Sequence, residues 1–226
     1  MKVLPERLQQ QTEMEVKTMN KRTTSAVLIV LGLAILSAAL PAHAQLARTF
    51  SLKPDPKRVA CLRKPGATPS ATVAVGQGAL ADDLTIIGSG IKPGLAFDLF
   101  TVQKSIFTAN GTSDPNFTDF GLAWYQTDLE ANSSGQIFGT LHTILVNQIF
   151  GFDPEVSLPP TNTFHVGFWF NNPADAANCG FTGFTPFNGE HHAGPLAMIS
   201  LPNATTGLGP LCLSPNTSTH PATCNP

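Results

Sequence analysis

Between Phe187 and Pro202 the chain reads FNGEHHAGPLAMISLP, which sets the carboxylate of Glu190 beside the imidazoles of His191 and His192. Such donors suit zinc or copper, which take three or four nitrogen, sulfur or oxygen ligands. Adjacent histidines point to opposite faces of a strand. Gly189 before them and Ala193-Gly194-Pro195 after them instead predict a loop, where both side chains can converge. A fourth ligand must then come from elsewhere in the fold, with His165 or His142 as the imidazoles and Asp98 as a carboxylate. The alternative is a polar corner whose side chains bond loop backbone, since exposed loops carry His and Glu freely. A second group of residues suits sugars. Trp124, Tyr125 and Trp169 join apolar ring faces to polar handles, the chemistry of a stacking platform, although such rings also serve as packing. Asp153 and Glu155, two residues apart in GFDPEVSLPPTN, offer hard oxygens of the kind calcium prefers, without an EF-hand loop around them.

Several enzyme classes lack their signatures. The chain contains no G-x-S-x-G elbow, no glycine-rich phosphate loop ending in lysine and no C-x-x-C pair. Charge excludes another class. Five of the 13 Lys and Arg and three of the 15 Asp and Glu precede residue 45, leaving eight bases against twelve acids in the remainder. All eight bases lie at or before Lys104, and eight acids follow it. Nucleic-acid binding draws its affinity from clustered bases that neutralise phosphate. No nucleic-acid partner is therefore expected, and the basic stretch KPDPKRVACLRKPG reads as a solvated, proline-broken arm.

The elements that must hold these residues begin after a secretory signal. MNKR at 19–22 is a basic lead, residues 26–40 are an apolar run, and Ala42-His43-Ala44 is a small-x-small cleavage site. Export to a periplasmic or extracellular space follows, with Gln45 the first mature residue and Met19 the suspected translation start. A membrane span needs about 20 apolar residues, and Pro41 ends this run early, so no transmembrane segment is expected in the mature protein. The remaining 182 residues are enough for one domain. They divide into an arm at 45–70, a β domain at 71–201 and a Pro/Thr/Ser/Asn-rich tail at 202–226.

All four cysteines, Cys61, Cys179, Cys212 and Cys224, lie in the exported part, and an even number in an oxidising compartment predicts two disulfides. Three pairings are possible from sequence; Cys179 with Cys212 and Cys61 with Cys224 is the one favoured. Short runs rich in β-branched and aromatic residues alternate with Gly, Pro, Asn and Ser, the pattern of an all-β chain. Seven strands are expected, at 71–76, 83–90, 95–103, 120–130, 136–147, 163–170 and 195–202, with one short helix at 172–178. Frequent turns favour a β-sandwich of seven to eight strands over a small barrel. In TFHVGFWF the face made by Phe164, Val166, Phe168 and Phe170 should be core, leaving His165 beside Trp169 on the other. His142 reads as a half-buried strand histidine. Five Asn-x-Ser/Thr triplets, at Asn110, Asn116, Asn132, Asn203 and Asn216, read as exposed turn chemistry.

LTIIGSGIKPGLAFDLFTV, followed downstream by FNGEHHAGPLAMI, resembles the scheme of Cu/Zn superoxide dismutases and the related chordin-type sandwich domains. In those, a Pro-Gly turn feeds a metal-bearing strand and a later loop brings His and Gly. The motifs are similar, too, to those of uncharacterised bacterial secreted β-sandwich proteins. The resemblance implies an antiparallel Greek-key β-sandwich, immunoglobulin-like or superoxide dismutase-like. At the place of the family's H-x-H strand this chain carries Phe97 and Leu99, so what is implied is the fold rather than copper chemistry. Sequence therefore points to an exported, disulfide-stabilised, non-catalytic binding or surface-associated module with a protein or glycan ligand. The alternatives are a zinc- or copper-binding protein using Glu190, His191, His192 and His165, and a carbohydrate-binding module using Trp124 and Trp169.

Overall fold

A computed structural model describes residues 47–78, 81–143, 151–153, 158–161, 164–183, 193–212 and 214–225. Eight strands form one antiparallel sheet: β1 (Ala47–Pro54), β2 (Ser70–Gly76), β3 (Asp82–Ser89), β4 (Ala96–Val102), β5 (Ala123–Glu130), β6 (Ile137–Thr143), β9 (His165–Phe170) and β10 (Leu196–Ser200). Two short hairpins stand apart, β7 (Gly151–Asp153) with β8 (Leu158–Thr161), and β11 (Ser214–Asn216) with β12 (Thr223–Asn225). The order across the main sheet is β5-β4-β9-β10-β1-β2-β3-β6, and its two edges, β5 and β6, curl toward each other. The result is nearly a barrel. Read around it, β4, β5 and β6 are successive neighbours and β3 returns to lie beside β6, which is a Greek key.

All seven expected strands form, and a 3-10 helix covers Pro173–Cys179 where the short helix was expected. The curled, nearly barrel-shaped sheet bears out the expected all-β, sandwich-like fold, and its core is the inside of the curl, where Val73, Val75, Leu84, Ile86, Phe97, Leu99, Phe168 and Phe170 meet. What differs from expectation is the N-terminal segment. The arm expected over 45–70 contains β1, which pairs with both β2 and β10 in the middle of the sheet. Its Phe50 and Leu52 face the core while Thr49 and Ser51 stay exposed, a two-residue inward stripe too short to announce a strand. The basic stretch after it holds the helix α1 (Val59–Leu62), and Leu62 is fully buried.

α1 plugs one end of the curl. Lys92 donates its N–H to Leu62 O at 2.8 Å, Lys64 donates to Gly90 O at 2.8 Å, and Arg58 Nη1 bonds Cys179 O in the 3-10 helix. The same contact carries a disulfide, Cys61–Cys179, with Cα atoms 6.1 Å apart. The second disulfide is Cys212–Cys224, at 5.7 Å, which closes the C-terminal segment on itself around β11 and β12. Both differ from the favoured pairing. The physical reason is that β9 runs directly into the 3-10 helix at the plugged end, bringing Cys179 to Cys61, whereas the two tail cysteines need no distant partner. The tail is also fixed by more than its disulfide: Leu211 joins the core, and Arg48 Nη1 bonds the carbonyls of Pro210 and Cys212.

All five Asn-x-Ser/Thr triplets lie at turns, as expected, with Asn110, Asn116, Asn132 and Asn203 exposed and Asn216 half-buried at the end of β11. Asn110, Asn132, Asn203 and Asn216 each accept the backbone N–H two residues on, at 2.9 to 3.0 Å. At the β5–β6 turn Asn132 Oδ1 also accepts from Gln136 N, and Gly135 takes φ +76° where a Cβ would come within 2.2 Å of Ile91 O.

The two disulfides close loops of very different length, with sequence separations of 118 and 12. If chain entropy dominates, removing Cys61–Cys179 by paired Ser substitutions should cost about 4 to 5 kcal/mol, and removing Cys212–Cys224 about 3 kcal/mol. Equilibrium urea unfolding of the two double variants tests that ranking, and a larger loss from the tail pair would contradict it.

Candidate functional site

The outer side of β4, β9 and β10 is covered as thoroughly as the inner side. The β4–β5 connection, residues 103–122, folds back over Phe100, Val102, Trp169, Leu196 and Ile199. Phe120 packs edge-on to Trp169 with centroids 5.0 Å apart, and Phe100 does so at 5.4 Å. Lys53 anchors this strap by bonding Gly111 O and lying 5.2 Å from the Phe107 ring centroid. Trp169 is accordingly 0 % exposed. It cannot offer a ring face to a sugar, which corrects the expectation of a two-tryptophan platform.

His165 does stand on the same side of β9 as Trp169, and it too is buried. Its Nδ1 lies 3.2 Å from Ser200 O and 3.1 Å from Ser200 Oγ. Ser200 Oγ accepts the Val166 N–H at 3.2 Å, and Ser105 Oγ donates to Ser200 O at 2.9 Å. Ser200 thus ties β9, through His165 and Val166, and the strap, through Ser105, to β10. Glu190, His191 and His192 lie outside the described residues. The nearest described residues, Ala193 and Gly194, sit by Trp169 and Phe170, at the end of β9 opposite His165. Among the described residues no group of three or more His, Cys, Asp or Glu is arranged to hold a metal. The zinc or copper expectation thus rests on sequence alone. Of the possible calcium ligands Asp153 falls in β7, and Glu155 is outside the described residues. His142 differs from the half-buried expectation: it is exposed and pairs with Asp83 at 2.8 Å. Asp98 is buried and accepts from Asn171 Nδ2 at 2.7 Å.

Trp124 has a different setting. β5 carries one residue more than β4 between the pairs Leu99–Thr127 and Phe100–Tyr125, a β-bulge at Gln126. Bulges re-aim side chains. Beyond it Trp124 pairs with Thr101 on the inner side of the sheet, at the end of the curl away from α1. Yet Trp124 is 54 % exposed, because here β5 is an edge and no ladder joins it to β6 among the described residues. A chain of side chains spans the gap instead. Thr143 Oγ1 on β6 donates to Gln126 Oε1 at 3.0 Å, and Gln126 Nε2 donates to Thr101 Oγ1 at 3.2 Å. Asp82, buried and paired in register with Thr143, accepts the Gly78 N–H at 3.2 Å. A polar layer therefore ends the apolar interior at this seam, with one indole exposed in it.

On the outer face of β5, Tyr125 packs edge-on to Phe100 at 5.7 Å and donates its hydroxyl to Asp128 Oδ1 at 2.9 Å. Partial burial, then the Asp128 carboxylate, push the phenol up to about 12, so it remains a donor at any ordinary pH. Adjacent strand residues face opposite ways, so Trp124 and Tyr125 present two separate surfaces. Sequence named Trp124 but missed Gln126, Thr143 and Thr101, since the bulge that gathers them has no residue signature. Scans against protein-family models, curated proteins and solved structures find no match to this chain.

Burial drives the His165 imidazolium pKa down to about 4 from an ordinary 6.5, against a smaller opposing effect of the Ser200 carbonyl. The unfolded chain thus takes up a proton near pH 6.5 and the folded one only near 4. The stability held by neutral His165 is complete above pH 6.5 and declines by roughly 1.4 kcal/mol per unit as pH falls toward 4. Urea unfolding of wild type and His165→Asn at pH 7, 6, 5 and 4 should give a flatter slope for the variant. Parallel slopes would contradict this assignment.

Proposed function

We propose that the chain is exported, cleaved after Ala44, and acts as a disulfide-stabilised, non-catalytic binding module whose contact surface is the β5–β6 seam around Trp124. One observation carries the reading. Trp124 leaves half its surface in solvent on the edge strand β5, which no ladder joins to β6 among the described residues, two residues from a hydrogen-bonded Gln126 that is itself half-buried. Exposed Trp is costly to hydration and is concentrated at binding surfaces, where few aromatic anchors supply most of the affinity. The two disulfides support an oxidising destination. The Greek-key order of β3 to β6 supports the likeness to superoxide dismutase-type and chordin-type sandwiches as one of fold.

The test is a comparison of the oxidised mature chain with Trp124→Ala on glycan arrays and proline-rich peptide arrays, with thermal unfolding of both as the control for folding. Binding in one class that falls at least about tenfold in the variant, at unchanged melting temperature, is the expected result. Blank arrays, or binding that Trp124→Ala leaves intact, would overturn the reading.

A further inference from the structure

We infer that the seam takes a neutral oligosaccharide, stacked on the Trp124 indole and oriented by the Gln126 amide. The inference rests on the reading of Trp124 as the contact surface and adds the class of ligand to it. Charge narrows the class first. No Lys or Arg follows Lys104, so β5 and β6 carry none, and Asp82 is buried at the seam. Anionic ligands, including phosphates and uronic acids, therefore find no Lys or Arg on either strand of the seam.

Polarity narrows it again. A purely apolar ligand needs apolar walls, but the register partner of Trp124 is Thr101, whose hydroxyl is bonded by the Gln126 amide, which Thr143 bonds in turn. That chain decides what the amide can still do. A primary amide has two N–H donors and two acceptor lone pairs. Thr101 takes one donor and Thr143 occupies one lone pair. One donor and one acceptor are left on a group whose orientation is fixed from both sides. Neighbouring hydroxyls on a pyranose ring are each donor and acceptor, and they match such a fork. The axial C–H face of the same ring is apolar and matches the exposed indole. Holding the amide in advance removes the rotamer cost that a free glutamine incurs on binding.

Native affinity electrophoresis tests this, with the oxidised mature chain run through gels containing hydroxyethyl cellulose, xylan, laminarin or galactomannan. Retardation by at least one polymer is expected, abolished by Trp124→Ala, partly kept by Trp124→Phe, and weakened on the order of tenfold by Gln126→Ala, the loss of a bound hydrogen-bonding group. Near-ultraviolet circular dichroism of each variant reports whether its core is intact, and Trp124→Phe preserves an aromatic ring should Trp124→Ala fail to fold. No retardation by any polymer, or retardation equal in wild type and Gln126→Ala, overturns the inference. The two readings separate cleanly: polymers blank but a proline-rich peptide bound through Trp124 would remove the sugar and keep the contact surface. Blank results for both ligand classes would remove both.

Discussion

Burial of β9 on both faces is the constraint on which the rest of the molecule depends. Every residue from His165 to Phe170 is buried. Inward, Phe168 and Phe170 meet Phe97 at centroid distances of 4.9 and 5.5 Å, and these rings fill the middle of the curled sheet. Outward, Trp169 would face water unless something covered it. The strap from 103 to 122 does so, and the chain after Ser200 closes over the His165 end, where Leu211 donates to Phe164 O. A strand covered on both sides cannot also present a ligand surface. Among the described residues the two strands of the main sheet that carry a ladder on one side only are β5 and β6.

The edge follows from the same geometry. Among the described residues seven ladders join eight strands, and β5 and β6 are linked through side chains. The turn at Asn132–Gln136 holds the two strands together at one end through the Asn132 N–H to Gln136 O bond of 2.9 Å. Farther along, the extra residue at Gln126 shifts the register of β5 against β4, and Trp124 lies toward the end away from α1. α1 and the Cys61–Cys179 disulfide hold the opposite end.

Sequence pattern revealed much of this fold because strands buried on one or two faces have an apolar signature. TFHVGFWF is the clearest case: its alternating Phe164, Val166, Phe168 and Phe170 are all core. The outer face was harder, because His165, Gly167 and Trp169 look like an ordinary exposed stripe until a distant loop covers them. β1 escaped notice because only Phe50 and Leu52 mark its inner face. Disulfide pairing is a matter of which chain ends converge, and counting cysteines does not contain that information. Of the candidate ligand residues, Trp124 was legible as an aromatic with two possible roles. Its exposure depends on a bulge and a missing ladder, which are properties of the sheet and not of the residues near it. Glu190, His191 and His192 remain a sequence motif outside the described residues.

The chain has only two tryptophans, and they occupy opposite extremes, Trp169 at 0 % and Trp124 at 54 % exposure. The most direct measurement is therefore a two-dimensional nitrogen–proton spectrum of the two indole N–H groups, recorded while laminarin or xylan oligosaccharides are added. The structure calls for one rapidly exchanging indole and one protected indole, with only the exchanging signal moving as the ligand binds. Two protected indoles, or a shift confined to the protected one, would contradict the placement of the contact surface at the β5–β6 seam.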